Sequence, residues 1–329
     1  MRNVAIEYLR VLFMLLIVLL HIIQFGYDEN AIMQRYDFDS YIQLPIMMLG
    51  KLGVPGFVFI TGYFSVTLKW DRVLSLWFQT TFYGLLSFIG LYIIGNEISI
   101  ISFVNCFISL FDGPWWFICD YFILLLLSVF LNHGINVIDK KTFTLSVIFL
   151  FIVIYGAMWF HGRDSAMSLL LFIYMYIFGR YIALHPIAWF DNHKWKIFIM
   201  SLFVLIVVPD IVHYCHCDFL QKKIVITYFN PFTLFCIVSL FLICKDVQKL
   251  GNGNWLTKNI LAVYLVHCSY FGSEMLFRRI IPLCEFNFTN LCLMVIAIFS
   301  ISIILEQIRK KIFQNILSKL SVFVKKYTS

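Results

Sequence analysis

Apolar residues fill the chain in long runs separated by short polar segments, and these runs are the first feature to interpret. A helix that crosses a bilayer needs about 20 predominantly apolar residues. Ten runs of suitable length lie at 6–25, 45–66, 73–95, 114–131, 143–160, 167–184, 197–212, 223–244, 259–280 and 290–308. The pattern therefore predicts an all-α fold, a polytopic membrane protein with about ten transmembrane helices.

Composition supports this prediction. Hydrophobic residues make up 61% of the 329 residues, charged residues only 13%, and the mean hydropathy is +0.88, which excludes a soluble globular domain. A net charge of +7 would suggest nucleic acid as the partner of a soluble protein, but here the basic residues fall in alternate loops. We expect no nucleic-acid partner. The nine cysteines are mostly scattered singly through apolar runs, so we expect buried thiols and no disulfide framework.

The loop cations predict the orientation of the chain. Sixteen Lys and Arg fall on the side of the amino terminus: Arg2, Lys69, Arg72, Lys140, Lys141, Lys194, Lys196, Lys245, Lys249, Lys258, Arg309, Lys310, Lys311, Lys319, Lys325 and Lys326. The other side has four: Arg35, Arg163, Lys222 and Lys223. By the positive-inside rule both termini are cytoplasmic. We expect a membrane domain at 1–308 and a basic amphipathic cytoplasmic tail at 309–329 that lies on the anionic leaflet.

The first apolar run carries an acid, a guanidinium and an imidazole, on Glu7, Arg10 and His21, and Gln24 near its end falls close to the same helical stripe. Eleven helical steps of 100° place Arg10 and His21 about 20° apart on one face, and they separate the two residues by roughly 16 Å along the axis. A titratable side chain at such depth costs about 3 kcal/mol and usually lines a cavity. We interpret this helix as one wall of an active site. The alternative is that His21 is a buried polar residue that holds helices together.

Further polar residues within or beside the spans are candidates for the same cavity: Lys51, Trp115, Trp116, Asp120, Tyr264 and His267. The tryptophan pair has an alternative role in an interfacial aromatic belt. In span two, Pro55 and small residues predict a bent, closely packed helix. Residues 96–113 predict an external surface or re-entrant helix, and Glu274 and Arg278 have the spacing of a helical ion pair.

Two polar segments have competing interpretations. Lys69 and Arg72 share one face after span two, either as a phosphate-binding pair or as a positive-inside anchor. His213-Tyr-Cys-His-Cys217 has residue types that suit zinc, but its crowding differs from the usual spacing of paired ligands. We therefore expect no metal site.

Five short motifs occur in an order that resembles a known family. They are Arg10 and His21 with ten residues between them, Gly53-Val-Pro-Gly-Phe-Val-Phe-Ile-Thr-Gly62-Tyr63, Trp115-Trp116-Phe117, Phe178-Gly179-Arg180 and Tyr264-Leu-Val-His267. In this order they resemble acyltransferase family 3, integral-membrane enzymes typified by bacterial O-acetyltransferases of surface polysaccharides. Glu7 stands where the family often has Asp.

The resemblance implies a reaction and a set of roles. The donor would be acyl-CoA, usually acetyl-CoA, bound from the cytoplasm, and the acceptor a hydroxyl of a cell-envelope or exported glycan or lipid-linked sugar. His21 would serve as base, Arg10 would orient the donor or balance its charge, and Glu7 is a third catalytic candidate. Lys69 and Arg72, with Arg10, would bind the donor; a lysine at Lys69 loses the bidentate fork of the family's usual arginine.

The same resemblance implies a multi-pass protein of the inner cell membrane, in contact with membrane lipids. Assembly with a second copy or with glycan-assembly proteins stays open. A secondary transporter of a lipid-linked sugar or small anion is the alternative function, since it would also use a polar stripe. Transporters often have two related halves, and no such repeat is visible. A structural scaffold would leave the alignment of Arg10 with His21 unexplained.

Overall fold

The structure, a computed structural model, describes residues 3–97, 99–111, 114–161, 166–217, 219–220, 228, 230–247 and 257–328. Within these ranges, the side chains of 157–161, 166–167 and 314–328 are not described. Five cations used in the topology prediction, Arg2, Arg163, Lys222, Lys223 and Lys249, lie outside the described residues.

Every regular element in the described part of the chain is helical. In chain order the helices are α1 (Val4–His21), α2 (Glu29–Gln34), α3 (Phe38–Gly50), α4 (Gly53–Tyr63), α5 (Trp70–Ile93), α6 (Ile100–Asn105), α7 (Trp116–Val137), α8 (Lys140–His161), α9 (Ala166–Leu184), α10 (Ala188–Asn192), α11 (Lys194–Tyr214), α12 (Pro231–Asp246), α13 (Ile260–His267), α14 (Tyr270–Ser273) and α15 (Phe288–Thr328). Two π-helical turns, Ile22–Gly26 and Glu274–Ile280, and a 3₁₀ turn, Ile281–Leu283, join them.

The chain forms two compact units, one of Met1–Val66 with Phe130–Thr257 and one of Thr67–Val129 with Lys258–Ser329. In the first unit, α1 packs against α3, α4 and α12, while α4 packs against α9. In the second unit, α5 packs against α14 and α15, and α13 packs against α15.

Six helical segments in the described ranges are long and apolar enough to cross a membrane: Val4–Gly26, Phe38–Tyr63, Trp70–Ile93, Trp116–Val137, Lys194–Tyr214 and Phe288–Phe313. The pair Ile260–His267 and Tyr270–Leu283 is bent by 65° and would form a seventh span. The remaining predicted runs coincide with α8, α9 and α12. Large apolar side chains such as Phe130, Phe149 and Phe203 are exposed on the outer faces of helices, as expected where lipid is the solvent.

Three predicted segments differ in detail from the structure. Span two is interrupted at Lys51 and Leu52 rather than at Pro55, which lies in the first turn of α4, where a backbone N–H is not needed by the helix. In the segment 96–113, the described residues form the short helix α6 and otherwise turns and irregular chain. The boundary that we predicted between 308 and 309 lies inside α15, which continues as one helix to Thr328.

Candidate active site

The polar residues at the start of α1 form an ion pair. The Arg10 Nη1 atom lies 2.7 Å from the Glu7 Oε1 atom, and the two side chains are 27% and 10% exposed. Asn3 caps the helix, since its side chain accepts hydrogen bonds from the backbone N–H groups of Ala5 and Ile6. The Asn3 amide also donates to the Lys245 backbone oxygen at 2.9 Å, which ties the start of α1 to the end of α12. Glu7 therefore fixes the guanidinium of Arg10 on a helix that is itself anchored.

His21 is the last residue of α1, and the backbone changes from α-helix to π-helix directly after it. The side chain is buried, and its ring lies 5.2 Å from the Phe25 ring, centroid to centroid. Single π-turns within helices occur frequently at functional sites. The extra residue in this turn shifts the helical phase, and the Gln24 amide donates to Glu29 of α2 at 2.5 Å. The π-turn therefore rotates Gln24 away from the helical phase that 100° per residue predicts for it.

A stripe of glycines on α3 and α4 positions α1. Gly50, Gly53 and Gly56 are spaced three residues apart, and a Cβ atom on any of them would meet α1 at 2.4–2.5 Å. The atoms met are Leu20 Cβ, Ile17 Cγ1 and Phe13 Cε2, respectively. Small residues let membrane helices approach closely. The close approach sets the position of the helix turn that carries His21, because Leu20 is its neighbour.

Lys51 lies at the break between α3 and α4 and is almost completely buried. Its Nζ atom lies 5.6 Å from the centroid of the Tyr228 ring, a distance at which the ring attracts a cation. The sequence offered no signal for Tyr228, because a cation–π partner so far along the chain leaves no spacing pattern. Lys51 is therefore a buried cation of the first unit, at the break within span two.

A second group of candidate residues meets in the second unit. The Trp115 indole N–H donates to the Leu265 backbone oxygen at 3.1 Å, and the Trp115 side chain is buried. The Phe117 ring lies 5.5 Å from the Tyr264 ring, which in turn lies 5.9 Å from the His267 ring. The prediction that Tyr264 and His267 share a face is confirmed. Aromatic contacts and one hydrogen bond thus link the start of α7 to α13.

The two tryptophans have different environments. Trp115 is a core anchor, so the prediction of an interfacial aromatic belt is wrong for it. Trp116 is 39% exposed and suits such a belt, and Asp120, one turn further along, is half-buried. His267 is fully buried, and its Nδ1 atom lies 2.5 Å from the Val263 backbone oxygen, which fixes the orientation of the ring.

The basic pair stands at the start of α5. Lys69 precedes the first residue of the helix, Arg72 lies in its first turn, and both residues are exposed. Backbone N–H groups at a helix start favour a bound anion, although Asp71 in the same turn opposes it. The position is accessible to a phosphate from solution.

Before this pair, the chain turns sharply at Ser65, whose φ angle is +53°. Asn132 of α7 holds the turn, because its amide donates to the Val66 backbone oxygen at 3.0 Å. The Ser65 and Tyr176 hydroxyls both donate to the Asn132 carbonyl oxygen, at 3.2 and 2.8 Å. Sequence analysis missed this polar cluster, since its members come from three distant segments.

Close packing near Tyr176 accounts for two glycines, Gly62 and Gly179, in the motifs that resemble the family. A Cβ atom on Gly62 would meet the Tyr176 backbone oxygen at 2.2 Å, and one on Gly179 would meet the Phe59 backbone oxygen at 2.4 Å. The two glycines therefore permit α4 and α9 to cross in close contact.

A buried charged cluster in the second unit was also missed. The Glu306 carboxylate accepts hydrogen bonds from Arg309 at 2.8 and 2.9 Å and from the Tyr83 hydroxyl at 2.9 Å, and Glu306 and Arg309 are 1% and 3% exposed. Lys310 lies 3.4 Å from the same carboxylate and donates to the Asn259 carbonyl oxygen at 2.7 Å. Arg309 is therefore not the exposed surface cation that the sequence predicted. The spacing of Glu306 and Arg309 at the end of the last span was the available signal.

These features define a helical membrane protein whose polar residues are held inside apolar spans. The chain belongs to acyltransferase family 3, because the model of that family, described as an acyltransferase domain, matches residues 3–307. No curated protein and no solved structure matches the chain. The resemblance predicted from the motifs is confirmed, and the protein is an acyltransferase of the membrane.

Proposed function

We propose that the protein moves an acyl group, most simply acetyl, from cytoplasmic acyl-CoA to a hydroxyl of a cell-envelope or exported glycan. The observation that carries this proposal is the buried His21 on the same anchored helix as the Glu7–Arg10 ion pair. Acyl transfer from a thioester to an alcohol needs a base for the hydroxyl. In this scheme His21 supplies the base, and Arg10, roughly 16 Å along the helix from His21, orients the donor or balances its charge.

The direct transfer balances as follows. The acceptor oxygen attacks the thioester carbonyl carbon while its proton passes to the His21 imidazole. The carbon–sulfur bond then breaks, the acyl–oxygen ester bond is complete, and the imidazolium returns its proton to the leaving thiolate. Glu7 is a positioning residue: its carboxylate occupies one of the five N–H donors of Arg10 and directs the others.

The positions of three cations support a donor site on the cytoplasmic side of the membrane. In the proposed topology Lys69, Arg72 and Arg10 lie toward the cytoplasm, where coenzyme A is made available. The exposed cations Lys69 and Arg72 suit its phosphates, which would stay at the membrane surface. The thioester would reach inward on the long pantetheine arm.

We further propose that all ten apolar runs span the inner cell membrane and that both termini are cytoplasmic. Reporter fusions at Ser329 and between Lys245 and Lys258 are expected to read cytoplasmic, and a fusion beside Asp37 external, because the loop cations are divided sixteen to four. An external carboxyl terminus would contradict the ten-span topology.

Incubation of the purified protein with acetyl-CoA labelled in the acetyl group, together with envelope glycans, tests the reaction. The label is expected in an ester that mild alkali releases from the glycan. Label held on the protein when glycan is omitted would indicate a covalent relay in place of direct transfer. If the labelled acetyl group reaches no glycan at all, the proposed function is wrong.

A further inference from the structure

The second unit contains a cavity of about 380 Å³ that the reaction scheme leaves without a role. Its walls come from the second half of α5, from the segment between Asn96 and Trp115, and from the turns after α13. Ligand pockets commonly measure about 300–1,000 Å³. The cavity is therefore large enough for a small ligand or for one unit of a larger one.

Two asparagine side chains in the wall are suited to a ligand with many hydroxyls. Asn96 and Asn105 line the cavity and are half-buried. Within the part of the chain that the structure describes, neither side-chain amide makes a hydrogen bond to protein. Each amide presents two donors and a carbonyl acceptor. A hydroxyl can donate and accept, so it satisfies either end of these amides.

A fixed carboxylate adds a further acceptor. Glu274 lines the cavity with a side chain 19% exposed, and its oxygens lie 3.3 Å from Arg278 Nη1 and 3.1 Å from Arg279 Nε. The predicted pair of Glu274 and Arg278 is thus confirmed. Because two guanidinium groups hold the carboxylate, its position is defined before a ligand arrives.

Tyr270 supplies an aromatic wall. It lines the cavity, and its side chain is 59% exposed, so its ring surface is accessible to a ligand. Trp115 also lines the cavity, but it is only 2% exposed and its indole N–H is bonded to the Leu265 backbone oxygen, so it shapes the wall without offering a ring face. A sugar ring has both a face of C–H groups, which packs on an aromatic ring, and a rim of hydroxyls, which bonds to amides and carboxylates.

We propose that this cavity binds one sugar unit of the acceptor glycan. Tyr270 supports the C–H face, and Asn96, Asn105 and Glu274 bond to the hydroxyls. The inference rests on the proposed function, since only a glycan acyltransferase requires such an acceptor. In the proposed topology, the segment 96–113 is external, which is the side where an exported glycan is found.

Asn96→Ala and Asn105→Ala test the cavity without touching the first unit. The full-length protein in detergent is assayed with labelled acetyl-CoA and envelope glycan, and the Michaelis constants for glycan and for acetyl-CoA are measured separately. Each variant is expected to raise the constant for glycan about three- to tenfold, the effect of one lost neutral hydrogen bond, with the acetyl-CoA constant unchanged. Asn136→Ala, an exposed asparagine on α7, is the matched control and should change neither.

A direct measurement of oligosaccharide binding tests the cavity independently of the proposed acyl transfer. Fluorescently labelled oligosaccharides released from the envelope glycan are titrated into wild type and both variants, with thermal unfolding as the check on folding. Weaker binding by folded variants supports the cavity even if wild type transfers no acetyl group. If wild type transfers acetyl and both variants keep wild-type glycan binding and Michaelis constants, the inference is wrong while the function stands.

Discussion

The glycine stripe under α1 offers a test of whether the position of His21 matters. In Gly53→Ala, the new Cβ atom would lie 2.4 Å from Ile17 Cγ1 and 2.6 Å from the Phe13 backbone oxygen. Carbon atoms normally pack at about 3.5–4.0 Å, so α1 must move by about 1 Å. A rotamer change at Ile17 does not relieve the contact with Phe13, because the Phe13 atom in contact is a backbone oxygen.

We expect two consequences from this displacement. Overpacking costs about 1–3 kcal/mol of stability. A misplacement of about 1 Å can lower the rate of a reaction about 100-fold, so acetyl transfer should fall by tenfold or more in protein that is still folded. The assay is thermal unfolding in detergent together with initial rates of label transfer.

The matched control is Gly134→Ala on α7, where an added Cβ atom meets nothing within 4 Å. Replacing a helical glycine at an open position is expected to stabilise by about 0.4–1 kcal/mol, since the unfolded chain loses freedom. If Gly53→Ala unfolds at the wild-type temperature and transfers at the wild-type rate, the stripe does not position α1.

The remaining predictions concern charged residues. Replacing Lys69 and Arg72 by alanine should raise the Michaelis constant for acetyl-CoA with a smaller change in turnover, because phosphate contacts act equally in ground and transition states. Arg10→Ala should instead lower turnover. Titrations with acetyl-CoA compare the variants. If replacing both Lys69 and Arg72 leaves the Michaelis constant for acetyl-CoA unchanged, the two residues are only a topological anchor. Glu306→Gln should cost about 3–5 kcal/mol of stability, since it leaves Arg309 buried without its carboxylate. Glu274→Gln, whose arginine partners are exposed, should cost about 1 kcal/mol or less in the same unfolding measurement, and equal losses would contradict the account of the buried cluster.

Hydropathy predicted the helices well, because a run of apolar residues long enough to cross a membrane has few stable alternatives to a helix. Within the described residues, each of the ten runs overlaps one or two helices or the bent pair around His267. Helical periodicity also predicted the Glu274–Arg278 pair, because the contact between residues four apart on a helix depends on local geometry alone.

Features that depend on packing between distant segments were not predictable. The π-turn after His21 and the break at Lys51 leave no period in the sequence. Arg309 looked like a surface cation because its burial depends on another helix: Tyr83, which donates to the same Glu306 carboxylate as Arg309, lies 223 residues from Glu306. Trp115 looked like an interfacial residue for the same reason, since its acceptor, the Leu265 backbone oxygen, has no sequence signature.

The central claim is that His21 is the base of the acyl transfer, and one measurement tests it most directly. His21→Ala is compared with His133→Ala, an exposed histidine on α7, in the transfer of labelled acetyl from acetyl-CoA to envelope glycan. A catalytic base contributes about 100-fold or more, so His21→Ala should lose at least that much while its membrane insertion and unfolding temperature match those of the control. A folded His21→Ala protein that keeps most of the wild-type transfer rate would contradict the account.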